Sequence, residues 1–379
     1  MLLPKDDNNY DVATDSISRP ADAGKLAVSR MLDRSNPNTV PSVRTEDLEV
    51  KLTPSADGRY FLVGNPFPAH LDVKDFLKAN GDVLAQKYWM VNDNGPIAGS
   101  ADAEGNWTET TGQEVTLLPP YGAFYAERAE GSDETGPVTV RFTADMQSFA
   151  PTTGNDSGQS GTTTTGVRVT AQSEGGQSTA VVTFSESADN DFAAEDAQLL
   201  RDESLTGADL PYVYTVAGTT AAAVNRVRDL AQIPLGVFAA EGKSVMLTFT
   251  GLDATERAAL YDAELQSERP LHEGDQLSLT GSSHGRYFLR LVPAEPTGIA
   301  GVTDGEESIT VYSVTAGEVI ASAPEALTRV EVYDTAGRRV RALNGTGDTV
   351  LRADGLTAGT YVVRAATASA QRTVKLVVE

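Results

Sequence analysis

Three histidines and many carboxylates are the side chains of this sequence that could carry acid-base catalysis or hold a metal ion. His70, His272 and His284 are far apart in the chain, and none belongs to an HxH or HExxH pair. No GxSxG, phosphate-loop or GxGxxG motif opens a helix after a strand. The sequence therefore predicts a protein that is not an enzyme.

The densest cluster of oxygen-bearing side chains is an acidic segment of the chain. It contains Asp189, Asn190, Asp191, Glu195 and Asp196. Oxygen ligands at alternate positions suit calcium, but the segment lacks the glycine and the closing glutamate of an EF-hand loop. We expect no cofactor. The alternative is a calcium ion held by Asp189 and Asp191, as opposed to helix capping by Asp191 in a solvated loop.

Aromatic side chains of the first half could stack on sugars. The candidates for glycan contact are Trp89, Trp107 and Tyr121. Exposed on one face, they would form a platform for sugar rings, whereas most large aromatic residues of a β-sandwich lie in its core. A glycan or host ligand is therefore an alternative, and core packing is the expected role.

Charge and composition limit the partners of the chain. Its 379 residues include 53 acidic and 30 basic side chains, a formal net charge of -23. A field of this sign repels nucleic acids and anionic membranes, so we expect no nucleic-acid partner. The absence of cysteine excludes disulfides and cysteine nucleophiles. No apolar run approaches the roughly 20 residues that span a bilayer, and no transmembrane segment is expected.

Short runs rich in β-branched and aromatic residues recur along the chain, separated by glycine, asparagine, aspartate and proline. This pattern predicts an all-β fold with a β-sandwich or jelly-roll-like body over residues 45–292. Within it, two short helices are expected, Val73–Asn80 with Asp72 as its N-cap and Phe192–Leu200.

The same patterns divide the chain into segments. They are an extended or disordered arm (1–44), two body halves (45–149 and 167–292) separated by a Thr/Ser/Gly loop (150–166), a linker (293–307) and a C-terminal domain (308–379). The halves form either two sandwiches or one interlocked body. We favour one body, because each half alone begins or ends on an unpaired edge strand.

The C-terminal domain has a regular two-residue alternation. Val330 and Val332 alternate with Arg329 and Glu331, which gives this strand one apolar face. The segment Asp334–Gly337 then predicts a hairpin turn, closed by the aspartate side chain, in which glycine takes a positive φ. These features predict a small immunoglobulin-like β-sandwich.

The order of pieces in this domain is more specific than each piece alone. It reads VY, G.VI, VEVYDTAGRRV, L.AGTYVV and TVKLVV at the extreme carboxyl end. This order resembles the type A C-terminal sorting domain of the type IX secretion system of Bacteroidetes. Glu379 departs from the basic or apolar last residue of many relatives.

The resemblance implies a location, partners and recognition residues. Such domains are export addresses read by the type IX translocon, and a surface sortase commonly removes them and links the passenger to lipopolysaccharide. The implied location is the outer-membrane cell surface or the medium. The positions that match the family pattern are Gly337, Arg338, Gly359, Tyr361 and Lys375.

We therefore predict the non-enzymatic C-terminal portion of an exported surface protein. The first residues, MLLPKDDNNYDVATDS, lack the basic and long apolar regions of a secretory signal, so we expect that signal upstream, in a longer protein. The alternative is an adhesin or glycan-binding module whose last domain is an ordinary immunoglobulin-like sandwich.

Overall fold

A computed structural model describes most of the chain from residue 47 onward. The described residues are 10–11, 16–17, 47–92, 95–111, 117–131, 135–148, 166–201, 206–228, 232–293 and 309–378. Near the amino end, β1 (Tyr10–Asp11) pairs with β2 (Ser16–Ile17). The rest of the predicted arm, nearly all of the Thr/Ser/Gly loop and most of the linker lie outside the described residues.

Residues 47–148 form the first unit. Its strands are β3 (Leu48–Leu52), β4 (Tyr60–Gly64), β5 (His70–Asp72), β6 (Leu84–Asn92), β7 (Gly95–Ala101), β8 (Trp107–Glu109), β9 (Leu117–Leu118), β10 (Ala123–Arg128), β11 (Val138–Phe142) and β12 (Gln147–Ser148). Five strands form a sheet in the order β4-β10-β6-β7-β8. Smaller sheets pair β11 with β3 and place β5 between β12 and β9.

The core of the first unit lies between these sheets and the helix α1 (Val73–Ala79). The Asp72 side chain accepts hydrogen bonds from the backbone of Lys74 and Asp75, and Phe76 and Leu77 are fully buried. This N-cap and apolar face are those expected from the sequence, so the helix prediction is confirmed.

Residues 166–293 form the second unit. Its strands are β13 (Val167–Ser173), β14 (Gly176–Phe184), β15 (Ala197–Gln198), β16 (Tyr212–Ala217), β17 (Thr220–Val227), β18 (Ile233–Phe238), β19 (Ser244–Thr250), β20 (Thr255–Asp262), β21 (Ser267–Pro270), β22 (Gln276–Thr280) and β23 (Ser283–Pro293). They form one sheet in the order β21-β20-β23-β18-β16-β17-β14-β13-β19-β22, and β15 also pairs with β17.

This sheet curls around its own core. Leu247 of β19 and Leu260 of β20 belong to one apolar cluster, although their strands are far apart in the sheet order. The segment after β21 joins the two sides, because Leu271 N donates to Ala258 O and Gly274 N donates to Phe249 O. The second unit therefore encloses its core with a single folded-over sheet.

The predicted helix at Phe192–Leu200 is wrong. The segment forms turns followed by β15. The Asp196 carboxylate, fully buried, accepts hydrogen bonds from Ala193 N at 2.8 Å and from Arg226 N at 2.7 Å. These contacts fix an extended segment against β17, so tertiary bonding overrides the local helical propensity.

Each of the two units has its own sheets and its own large apolar core, and a smaller apolar cluster that includes Trp89, Val181 and Val224 lies between them. Among the described residues, no strand of the first unit pairs with a strand of the second. The first strand of each unit pairs inside that unit, β3 with β11 and β13 with β14 and β19, and β23, the last strand of the second unit, pairs with β18 and β20. Strand pairing stays within each half, whereas a shared apolar cluster and the Trp89–Gln198 hydrogen bond join the halves by side-chain contacts, so the choice between two sandwiches and one interlocked body stays a prediction.

Residues 309–378 form the C-terminal unit. Its strands are β24 (Thr310–Tyr312), β25 (Val319–Ser322), β26 (Arg329–Asp334), β27 (Arg339–Asn344), β28 (Val350–Ala353), β29 (Gly359–Ala366) and β30 (Gln371–Val378). A sheet β24-β25-β28 faces a sheet β27-β26-β29-β30. Their inward side chains, such as Val311, Val332 and Val363, form a core of their own. The all-β prediction is confirmed.

Candidate functional site

The turn between β26 and β27 is organised by one aspartate. Asp334 Oδ1 accepts hydrogen bonds from Ala336 N at 3.1 Å and from Arg338 N at 2.9 Å, and its Oδ2 accepts one from Arg338 Nε at 3.0 Å. These bonds, the one from the Arg338 backbone first, hold the pKa of Asp334 below its ordinary value. Gly337 has a φ of 77°, as expected for the turn.

The start of β29 lies beside this turn. Tyr361, which is buried, donates a hydrogen bond from its hydroxyl to Thr357 O at 2.7 Å. This bond ties the strand to the loop that precedes it. Gly359, two residues earlier, opens the strand opposite Val378 of β30.

The sheet register brings the five sequence-predicted residues to one end of the four-stranded sheet. Asp334 pairs with Tyr361, which pairs with Leu376, so the turn lies in line with the last residues of the chain. In the next row, Val362 pairs with Lys375. We call this end, formed by residues 334–338, 359–361 and 375–378, the turn end.

The turn end is accessible and carries positive charge. The Arg338 side chain is 81% exposed, and Lys375 is exposed on the edge strand β30. Val377, also on β30, is 66% exposed. In a chain of net charge -23, this end offers guanidinium and ammonium groups beside an unpaired strand edge.

The three-stranded sheet of the C-terminal unit docks on the second unit. Tyr312 and Ile320 pack with Tyr214 and Val216 in one buried apolar cluster. Arg352 Nη2 donates a hydrogen bond to His284 O at 2.5 Å. These contacts come from the three-stranded sheet and involve no residue of the turn end.

A second polar contact joins these units at the start of β30. The Arg372 guanidinium forms an ion pair with the carboxylate of Asp191. Asp191, one of the calcium candidates, thus has a cationic partner. Asp189 Oδ1 accepts a hydrogen bond from Asp191 N at 3.0 Å. Across the described parts of the chain, no group of three or more acidic, histidine or cysteine side chains is placed to hold a metal ion. Calcium binding stays a prediction.

His284 lies in an aromatic environment. His284 Nδ1 lies 2.8 Å from the Tyr214 hydroxyl, and its ring packs against Tyr214 and Phe238. Burial, followed by the nearby Arg352 and Arg201 charges, lowers the pKa of His284 to about 4. His284 belongs to the segment Gly281–Gly285, which has GxSxG spacing but joins β22 to β23 and opens no helix.

The three candidate sugar-stacking residues occupy different environments. Trp89 is buried between the first and second units and donates a hydrogen bond from Nε1 to Gln198 O at 2.8 Å. Trp107 is half-buried against Tyr88. Tyr121 is 70% exposed and has a φ of 65°.

Sequence reasoning named Asp196 only as part of the acidic segment and did not predict that Asp196 and Arg226 are buried near the junction of the first and second units. Burial raises the pKa of Asp196 to about 7. Arg226, also buried, donates from Nη2 to Thr108 Oγ1 at 2.7 Å. No local signal marks either residue, because their partners lie far away in the sequence.

The C-terminal unit belongs to a known family of export domains. Residues 309–379 match the family of secretion system C-terminal sorting domains. The chain therefore carries a type IX secretion C-terminal sorting domain, and it is a protein exported to the cell surface or the medium by that machinery. No curated protein matches the chain. No helix of the described residues has the length and apolar content needed to cross a bilayer.

Proposed function

We propose that the chain is the non-enzymatic C-terminal portion of a cell-surface protein and that the turn end is the part of the sorting domain that the export machinery reads. The observation that carries this proposal is the convergence of five residues, Gly337, Arg338, Gly359, Tyr361 and Lys375, at one accessible end of one sheet. A surface sortase and lipopolysaccharide linkage are the partners we propose after export.

The layout of the C-terminal unit supports an immunoglobulin-like assignment. Sheets of three and four antiparallel strands face one another around a single core. Such a unit can present a charged end without help from the passenger. This favours an address that works on different cargoes.

The proposal is tested by fusing residues 297–379 to a periplasmic reporter in a bacterium with a working type IX system. We expect the reporter outside the cell, and a reporter retained in the periplasm would contradict the proposal. In the full chain, Lys375→Ala should reduce export. Thr373→Ala is the matched control, since Thr373 is also exposed on β30 but lies two residues further from the turn end.

A glycan-binding or adhesive role of the first unit is the second candidate. Its support is Tyr121, an exposed aromatic residue held at positive φ, a conformation that is strained outside glycine. A glycan array should give specific binding that is lost in Tyr121→Ala and reduced in Trp107→Ala. A flat array for the unmodified protein would remove this candidate.

A further inference from the structure

A cavity of about 330 Å³ lies between the first and second units. Ligand pockets usually measure about 300–1,000 Å³, whereas close-packed interiors leave few voids larger than a water molecule. The junction of the two units is therefore incompletely filled, although the cores on either side are tightly packed. The described lining of the cavity lies outside the C-terminal unit, so a ligand bound there is independent of the proposed export role.

One wall of the cavity is the outer face of the five-stranded sheet. The sheet register places Leu62, Tyr125, Trp89 and Ala98 in a single row across β4, β10, β6 and β7. All four side chains line the cavity. At its rim, Leu62 is 57% exposed and Val91 is 46% exposed. The wall is thus apolar from the buried contact out to solvent.

The described lining of the cavity favours a neutral ligand. None of the described residues that line the cavity is acidic, basic or histidine. Transfer of an ion into such surroundings is strongly unfavourable without a charged partner. A neutral ligand is therefore favoured over an ion at the described lining.

Several polar groups of the lining already have hydrogen-bond partners in the protein. Ser178 Oγ accepts a hydrogen bond from Val213 N at 2.9 Å, and Thr110 Oγ1 accepts one from Ala98 N at 3.1 Å. The hydroxyls of Thr206 and Tyr212 bond to each other at 2.6 Å. Trp89 uses its N–H on the Gln198 carbonyl. Water gains few hydrogen bonds here, and apolar cavities of this kind bind apolar molecules instead.

We propose that this cavity is a binding site for a small, neutral, largely apolar molecule that packs against the Trp89 and Tyr125 rings. Because the cavity has walls from both units, an occupied site also strengthens the contact between them. The ligand gains most of its affinity from apolar area removed from water.

The test uses the full chain and two dyes that share one ring system. N-phenyl-1-naphthylamine is neutral, and 8-anilino-1-naphthalenesulfonate adds a sulfonate to it. We expect the neutral dye to bind one site per chain and the anionic dye to bind about tenfold or more weakly. In a Trp107→Phe background, Trp89 is the only tryptophan, since the chain has two. Bound dye should then quench Trp89 emission by energy transfer.

Ala123→Phe places a ring at the mouth of the cavity, because Ala123 lines it and is exposed. This variant should weaken the neutral dye by about tenfold. Ala56→Phe is the matched control, an exposed alanine in the turn before β4 that does not line the cavity. Equal binding in both variants, or dye binding without Trp89 quenching, would overturn the proposal. Quenching of Trp89 is measured with an unmodified cavity lining. It therefore tests the proposal even if the Ala123→Phe variant fails to fold.

Discussion

His284 shows how one partly buried side chain couples stability to pH. Its pKa of about 4 lies below the ordinary 6.5, so the folded protein keeps this ring neutral where the unfolded chain protonates it. The stabilisation is therefore complete above about pH 6.5 and is lost as pH falls toward 4. Its full size is on the order of 2 kcal/mol.

We predict that an NMR titration of the imidazole protons gives a pKa near 4 for His284, with the signal assigned by its loss in His284→Gln. The difference in urea midpoint between the unmodified chain and this variant should shrink between pH 6.5 and 4. Using a difference is necessary, because the raised pKa of Asp196 gives the opposite slope, with stability lost as pH rises through about 7. A pKa of 6.5 or higher would contradict the burial argument.

At the residue scale, short-range chemistry was predictable and long-range burial was not. The turn that Asp334 closes, with Gly337 at positive φ, joins residues at most four positions apart, so it could be predicted from the sequence. The burial of Asp196 depends on Arg226, 30 residues away, and that of Trp89 on Gln198, 109 residues away. Contacts between residues so far apart in the sequence produce no local pattern from which the burial of either side chain could be predicted.

The helix α1 is an element whose start is specified by its own sequence, and its N-cap can be tested by mutation. Asp72→Ala removes the side-chain acceptor for Lys74 N and Asp75 N, and should lower the free energy of unfolding by about 1 kcal/mol. The measurement is urea unfolding followed by circular dichroism. Asp82→Ala, at an exposed acid just after the helix, is the control. Equal effects in the two variants would show that the cap contributes nothing.

At the element scale, two-residue periodicity predicted strands correctly, whereas the helix prediction at Phe192–Leu200 was wrong. The strand β11 alternates buried Val138, Val140 and Phe142 with exposed Thr139 and Arg141, and such a pattern is visible in the sequence. The segment Phe192–Leu200 instead has good helix formers whose conformation is set by β17. Local propensity cannot report a partner strand that comes later in the chain.

At the scale of the whole molecule, the sorting domain is a folded unit that is also docked on its cargo. Ile320 lies in the apolar cluster with Tyr214 of the second unit, whereas its neighbours Val319 and Ala321 belong to the unit's own core. One strand therefore serves two purposes on its two faces. A change at Ile320 can separate docking from folding.

We predict that Ile320→Asp releases the C-terminal unit without unfolding it, because the aspartate removes the apolar contact with Tyr214 and buries a carboxylate beside Arg352, whose guanidinium already pairs with Glu318. Small-angle scattering should show a larger radius of gyration, and the far-ultraviolet circular dichroism should be unchanged. Val377→Asp is the matched control on the opposite sheet, at a side chain that is already 66% exposed. An unchanged radius for Ile320→Asp would mean that the apolar contact does not hold the units together.

The docked face has a consequence for the mature surface protein. Cleavage in the segment between the second and C-terminal units, followed by loss of the C-terminal unit, would uncover Tyr214, Val216 and Phe238 together. The released passenger would then carry a newly exposed patch of aromatic and aliphatic side chains where the C-terminal unit was docked. Such an exposed apolar patch favours association with another apolar surface, so removal of the C-terminal unit would promote contacts of the passenger with neighbouring molecules at the cell surface.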